Sequence, residues 1–260
     1  MKITWLGTAS LLIESGGHKL LFDPYLRKLN KSLPPFPFDK ITGAEAIFIT
    51  HPHLDHYGDM PTVLEHTDCP VYTNARGVQI AQNLHFYSER IRPIQFGDVL
   101  TFGELTIQAY RSRHVEFDKQ VARSVIKRVL KGRIITGIKL NSLNNRMTID
   151  LTEDVFAFCL RYRNNTALIL GSANIDENTE YPKADILIYP YQGRGDMLEY
   201  SLRLVKALSP ATVILDHFDD AFPPLTTRMN VEEFKSRLES ESNIKVIISN
   251  ESEPIETPFP

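Results

Sequence analysis

The chain of 260 residues carries only two cysteines, Cys69 and Cys159, far apart and without a CxxC spacing. A disulfide framework is therefore not expected, and a reducing compartment fits. No stretch approaches the roughly 18 to 20 apolar residues that a spanning helix needs. The N-terminal run MKITWLGTASLLIESGG lacks the apolar core of a signal peptide and suits strand periodicity better, so the expected location is cytoplasmic. Charge of one sign is lacking as well. The formal net charge of −3 gives no global sign of nucleic-acid binding. There is no internal repeat by short motif, and no Ser-His-Asp or Cys-His pattern that would mark a nucleophilic enzyme.

What is present is a chain with 42% hydrophobic residues, which suits a single domain over 1–260. KITWLG, SLLIES and HKLLFDP are short apolar runs that read as a strand meander turning at Gly16-Gly17. KSLPPFPF, 31 to 38, excludes helix through Pro34, Pro35 and Pro37. It reads either as a connecting loop or, through Phe36 and Phe38, as an aromatic rim near a functional site. AEAIFIT, CPVYTN, the stretch from Arg90 to His114, ADILIYP, ATVILDHF and IKVIIS carry further strands. GDMPTVLEHT, GVQIAQNL, MLEYSLRLVKALSP and VEEFKSRLES read as helices. VFAFCLRYRNNTALILG predicts a hairpin turning at Asn164-Asn165. Strand-rich halves, each followed by helices, predict an α/β protein with sheets packed between helices.

One segment differs from the rest. KQVARSVIKRVLKGRIITGIK, 119 to 139, holds seven Lys/Arg and no acid. The remaining chain therefore carries −3 − 7 = −10. Val121, Val125 and Val129, with Ile126 and Leu130, recur at helical spacing, which predicts a basic amphipathic helix. Three uses fit it: a cationic lid that steers phosphorylated or carboxylated substrates, a face for peripheral contact with anionic lipid, or an insertion that packs in a homo-oligomer.

The densest chemistry is THPHLDHYGDM, residues 50 to 60, with three of the eight histidines and two aspartates. In extended backbone the side chains of His51 and His53 point the same way. Asp55 continues that alternation and His56 follows in the turn. Imidazole and carboxylate are the ligands that suit Zn²⁺, Fe and Mn²⁺, and a strand that ends at the cluster gives it a rigid base.

This stretch resembles the HxHxDH signature of the metallo-β-lactamase-fold hydrolase superfamily. WLGTASLLIESGGHKLLFDP, FGDVLTFGELTIQAYRSRH and SPATVILDHF are similar, in order, to its opening strands and to the stretches that carry its later ligand histidines. The likeness is to the group of metal-dependent hydrolases that includes ascorbate-6-phosphate lactonase-like proteins, and 118–150 matches it least. The resemblance implies an α/β fold, a four-layer αβ/βα sandwich, to which the basic helical segment read from the residues around 118–150 is an insertion. It implies one divalent metal on His51, His53 and His114 and a second on Asp55, His56 and His217. Zn²⁺ is the first expectation, with Fe or Mn²⁺ as alternatives. Asp23 matches an aspartate that supports the site from behind, or it caps the turn before Pro24. Asp55 is the candidate proton acceptor as well as a ligand.

The pattern departs from the family at three places. Ser172, in LILGSANIDE, stands where the family carries an aspartate that bridges two metals. A neutral hydroxyl is a poor bridge, so the site holds one metal, or a weak second one, or Asn174 or Asp176 reaches in from the following loop. Asp176 otherwise reads as a solvated loop acid. Thr8 stands where relatives often carry a histidine. In YQGRGDM, Arg194 either grips an anionic group or is an exposed loop arginine. The expected function is a metal-dependent hydrolase that turns metal-activated water on an ester, lactone, amide or phosphodiester of a small molecule. The alternative is a non-catalytic or weakly active binding protein of the same fold with an altered, mononuclear metal site. A nucleic-acid-processing relative is the least expected reading, given the acidic balance.

Overall fold

The computed structural model describes residues 1–28, 30–116, 154–223 and 226–257. The basic helix expected at 119–139, and the insertion around 118–150, lie outside the described residues. β1 (Lys2–Gly7), β2 (Ser10–Ser15) and β3 (His18–Phe22) form the foreseen meander. Gly16 and Gly17 turn it with φ of 61° and 85°. Two successive left-handed residues suit the twist of a two-residue hairpin, and glycine adopts them without a Cβ penalty.

From β3 the chain switches to parallel pairing. β4 (Ala46–Phe48), β5 (Val71–Thr73) and β6 (Ile91–Pro93) add in sequence. Short helices make the crossovers: α1 (Phe38–Ile41), α2 (Leu54–Tyr57), α3 (Met60–Leu64) and α4 (Ala75–Asn83). Asn74 caps α4 by accepting the Gly77 N–H at 2.9 Å, which satisfies one of the donors a helix start leaves unpaired. The expected helix in GDMPTVLEHT is confined to α3, which Pro61 opens, because proline suits a first helical turn.

The second sheet repeats the plan. β7 (Val99–Phe102), β8 (Leu105–Ser112), β9 (Val155–Tyr162) and β10 (Asn165–Leu170) are antiparallel. β11 (Ile186–Pro190), β12 (Thr212–Asp216) and β13 (Lys245–Ile248) follow in parallel. α5 (Met197–Leu208) and α6 (Glu232–Glu241) connect them. The β9–β10 turn falls at Arg163-Asn164, one residue earlier than expected, because Asn165 pairs with Tyr162; Arg163 takes the left-handed position at φ 54°. A strand not foreseen, β14 (Pro254–Glu256), returns to pair with β1. Its proline opens an edge strand, where a missing N–H costs no ladder bond.

Among the described residues each sheet has seven strands, in the orders β14-β1-β2-β3-β4-β5-β6 and β13-β12-β11-β10-β9-β8-β7. Side-chain alternation sorts the first sheet cleanly. Ile3, Trp5, Leu11, Ile13, Leu20, Phe22 and Phe48 enter the core that also holds Phe156, Phe158 and Leu160 of the second sheet. Leu12, Leu21, Ile47, Ile49 and Val71 point the other way, to a second core with residues of α1, α3 and α4. A sheet buried on both faces explains why these strands read as near-continuous apolar runs. Phe22 and Phe48 stack at 5.2 Å, and Phe48 meets Phe158 at 5.3 Å, so an aromatic group ties the sheets together. The result is the expected four-layer αβ/βα sandwich. Cys69 and Cys159 are buried and unbridged. Among the described residues no helix is long and apolar enough to cross a membrane.

Phe36 and Phe38 do not form a rim at the site. Phe36 is buried in the outer core and Phe38 packs against it, its ring 3.9 Å from that of His66. Two bulky rings in a proline-stiffened connection are better placed covering α1 and α3 than facing water.

Candidate metal centre

The candidate ligands all lie where strands end. β4 stops at Phe48 and hands over to Thr50–His53; His114, Ser172 and His217 follow the ends of β8, β10 and β12. Open α/β sheets commonly bind ligands at such carboxyl ends. The sequence-based alternation holds for His51 and His53 but not for Asp55. Residues 54–57 form the short helix α2, with His53 extended at φ −74°, ψ 163° as its N-cap. Asp55 and His56 are therefore presented by a helical turn, and they fall to a different group from His51 and His53.

Two groups result. His51, His53 and His114 offer donor atoms within 4.8 Å of one another, and so do Asp55, His56 and His217. The His51 ring centre lies 4.4 Å from that of His53 and 4.0 Å from that of His56, so the groups adjoin. Asp55 Oδ2 is 3.1 Å from His217 Nε2.

Bonds behind the rings set which nitrogen faces inward. Thr50 donates its hydroxyl to Asp23 Oδ2 at 2.6 Å, so its oxygen accepts from His51 Nδ1 at 3.0 Å. Asp23 Oδ2 also takes His56 Nδ1 at 2.9 Å. His114 Nδ1 donates to the Val115 carbonyl at 2.8 Å, and His217 Nδ1 to Gln192 Oε1 at 3.0 Å. With Nδ1 engaged, Nε2 is the nitrogen left to ligate, the usual device for fixing a ligand tautomer. His51 Nε2 is buried with no hydrogen-bond partner among the described residues. A buried polar atom left unbonded is costly, and a metal ion beside it would satisfy it. The residues present thus fit a divalent transition metal.

Electrostatics divide the two groups. Burial, with the neighbouring imidazoles, holds His51 well below the usual histidine range, and burial lowers His114 too. Both are neutral, as ligation requires. Burial opposes the charge on Asp55, but His56 and the His217 hydrogen bond outweigh it and keep the carboxyl ionised far below the usual range. Burial likewise opposes charge on His217, yet the Asp55 bond and charge prevail and push it up to about 9. Before any metal binds, Asp55 and His217 are thus an ion pair.

Asp23 is no mere turn cap. It is 2% exposed and fastens Thr50 and His56 behind the rings. Ser172 accepts the Val115 N–H at 2.9 Å, so it braces the residue after His114. Neither candidate substitute reaches in. Asn174 is committed to the His114 carbonyl, the Ile175 N–H and the Tyr200 hydroxyl. Asp176 is not a solvated acid: it is buried, 5% exposed, and is taken by Arg113 at 3.2 Å and the Asn178 N–H at 2.8 Å. The loop folds back on β8, whose end needs those partners. Arg194 is not a bare loop cation. It makes a fork with Asp196 (2.6 and 2.9 Å), donates to the Glu116 carbonyl at 3.1 Å and lies 4.5 Å over the Tyr200 ring. Thr8 is fully buried and bonded to Asp219. Sequence reasoning missed Thr50, Gln192 and Asp219. Thr50 adjoins the histidine cluster and was within reach; the other two carry no local signal.

Comparison with known proteins bears on the family and the fold. A model of the beta-lactamase superfamily domain matches residues 2–134. The chain is 31% identical over 116 residues to a UPF0173 protein of Pyrococcus furiosus, covering 44% of this chain and 50% of that one. It is 34% identical over 115 residues to a UPF0173 metal-dependent hydrolase of Carboxydothermus hydrogenoformans, covering 44% and 48%. The match spans about half the length of these relatives. Among solved structures, Igni18, a metallo hydrolase of Ignicoccus hospitalis, superposes with a TM-score of 0.66 at 18% identity, covering 100% of this chain and 99% of that one. The metallo-beta-lactamase fold protein YhfI of Bacillus subtilis gives 0.62 at 16% identity, covering 98% and 99%. These two likenesses establish the fold. The matched family model, with the two ligand groups at the strand ends, makes this chain a member of the beta-lactamase superfamily.

Proposed function

We propose that the chain is a metal-dependent hydrolase that cleaves an ester, a lactone or a phosphodiester in a small anionic molecule. One observation carries the reading: two groups of metal-type donors adjoin at the strand ends of both sheets, and the buried His51 Nε2 has no hydrogen-bond partner among the described residues. The donors suit Zn²⁺ first, with Fe or Mn²⁺ as alternatives. When bound, such a metal would supply Lewis acidity and lower the pKa of a bound water to about 7. His51, His53 and His114 would hold one ion, and Asp55, His56 and His217 a second.

The protein's own part is orientation and proton handling. Asp23 and Thr50 hold the rings of His51 and His56, and Gln192 holds His217. Asp55 is the candidate acceptor for the proton lost from attacking water; its imidazole neighbours keep it ionised and so able to accept, at the cost of basicity. Names of relatives support the reaction class. The anionic substrate is read from the charge of the basic stretch 119–139; Arg194 adds nothing to it, because Asp196 already takes its guanidinium.

One observation favours a second reading, a weakly active or binding protein with a mononuclear site. Ser172 replaces the bridging acid, and Asn174 and Asp176 are engaged elsewhere. Metal content per chain, on protein purified without chelator, tests both. About two ions with turnover of a phosphodiester, lactone or ester, lost in His51→Ala, supports the hydrolase. One ion without turnover supports the second reading. No ion after addition of zinc, iron or manganese would sink both.

A further inference from the structure

Behind the His217 half of the centre lies a buried knot built around Arg27, whose side chain is 1% exposed. Its guanidinium is shared by two acids from distant parts of the chain. Nη1 donates to Asp219 Oδ2 at 3.3 Å and Glu251 Oε2 at 2.8 Å. Nη2 donates to Glu251 Oε1 at 2.5 Å and the Pro34 carbonyl at 3.3 Å. Glu251 comes from the link between β13 and β14, and Asp219 lies two residues beyond His217.

Asp219 passes the restraint on. The same Oδ2 accepts the Thr8 N–H at 3.0 Å and the Thr8 hydroxyl at 3.2 Å. The Thr8 carbonyl then accepts the His217 N–H at 2.8 Å and the Trp5 indole N–H at 2.7 Å. Trp5 stacks on Phe218 at 4.7 Å, beside His217 in the chain. The His217 backbone is thus tied to Arg27 by two routes, through Thr8 and through residues 218–219.

The backbone around the knot is strained in a concerted way. Thr8, Arg27, His217 and Ser252 all stand in the left-handed region, with φ of 50°, 53°, 52° and 63°. Non-glycine residues hold such angles only where the surroundings impose them, and they gather at functional sites. Gly7, at φ 103°, gives the guanidinium room: a Cβ there would lie 2.4 Å from Arg27 Cζ. A buried ion pair is weak evidence for stability, since apolar groups often replace one without loss. What they cannot supply is direction, and a planar guanidinium gripped by a carboxylate fork fixes direction well.

We propose that Arg27 is a positioning residue for the His217 half of the metal centre: clamped by Glu251, it fixes Asp219 and through Thr8 the His217 backbone, so that the imidazole faces Asp55 and His56. The inference rests on the metal-centre reading above. It makes the two ligand groups unequal. The His51 group hangs on Thr50, Asp23 and the end of β8, whereas the bonds of the knot described above lead to His217.

The test uses the full chain in two arms. The first is Co²⁺ titration of metal-depleted protein, read by calorimetry and by the visible cobalt bands, on wild type, Arg27→Lys and the milder Glu251→Gln. His217→Ala and His51→Ala identify which site is which. The second arm needs no metal: long-range ¹H–¹⁵N spectra of the histidine rings in the same variants. In Arg27→Lys the site that His217→Ala abolishes should weaken at least tenfold, and the His51 site should stay within about twofold. Glu251→Gln should weaken the same site by a smaller factor. In the spectra, the His217 ring should shift while those of His51, His53 and His114 stay. Equal weakening of both sites, in step with a lowered Tm, would reduce Arg27 to a structural ion pair and overturn the proposal. Unchanged His217 resonances in folded Arg27→Lys would overturn it as well. Wild type that takes up no Co²⁺ would instead overturn the metal-centre reading, while the ring spectra still decide whether Arg27 orients His217.

Discussion

Asp23 holds Thr50 by both of its donors: Oδ1 accepts the Thr50 N–H at 2.8 Å and Oδ2 the Thr50 hydroxyl at 2.6 Å. The strand-end carrying the histidine cluster is thereby bolted to the end of β3. The same carboxylate takes His56 Nδ1, so one buried acid steadies a ring in each ligand group, His51 through Thr50 and His56 directly.

Asp23→Asn tests this arrangement. An amide offers one acceptor oxygen and turns an NH₂ group towards donors. Metal affinity should fall by roughly 10–100-fold, the usual cost of losing a partner behind a ligand. Stability should fall by about 1–3 kcal/mol from the unsatisfied buried groups. Metal titration and thermal unfolding measure the two separately. Unchanged affinity in a folded variant would show that Asp23 serves packing alone.

The Asp55–His217 ion pair gives a pH dependence with a definite sign. His217 stands at about 9 before metal binds, so below that pH a metal must expel its proton to ligate Nε2. Affinity at the Asp55, His56, His217 group should therefore rise with pH, by up to about tenfold per unit, and level off above about 9. His51 and His114 are lowered by burial, and they add little slope above pH 6.5. Calorimetry in two buffers of different ionisation enthalpy should count close to one proton released at pH 7.5. A flat profile from pH 6 to 9 would contradict the ion pair.

Ser172→Asp should raise the metal content or tighten the weaker ion. A carboxylate at 172 would still have the Val115 N–H, which the serine oxygen holds at 2.9 Å, as a donor, and it would add a negative charge beside His114. Metal analysis beside wild type reads the change directly. An unchanged count of two in both proteins would mean that the serine already sustains a dinuclear site.

Gly7→Ala should destabilise the fold by about 2–3 kcal/mol, from a strained backbone and a displaced guanidinium. Its φ is 103° and the new Cβ would meet Arg27 at 2.4 Å. Thermal and denaturant unfolding give the number. A loss below about 0.5 kcal/mol would mean that the Arg27 side chain has room to yield.

Local pattern in the chain determined a good deal. Alternating apolar residues such as Ile3, Trp5, Leu11 and Ile13 specify strands, because side chains at every second position share a face, and the glycine pair at 16–17 specifies their turn. HPHLDH specifies a metal-type donor set, because imidazole and carboxylate chemistry is carried by residue identity. Both are properties of neighbours in sequence. What the tertiary structure alone decided is how those donors are divided and held. α2 turns Asp55 and His56 away from the alternation of His51 and His53, since a helical turn rotates side chains where a strand would repeat them. His217 joins Asp55 across 162 positions, and Arg27 reaches Asp219 across 192 and Glu251 across 224. No local periodicity encodes such pairings. They exist only once two sheets have packed face to face and brought their strand ends to one edge, where burial removes water and lets a few charges fix one another's positions.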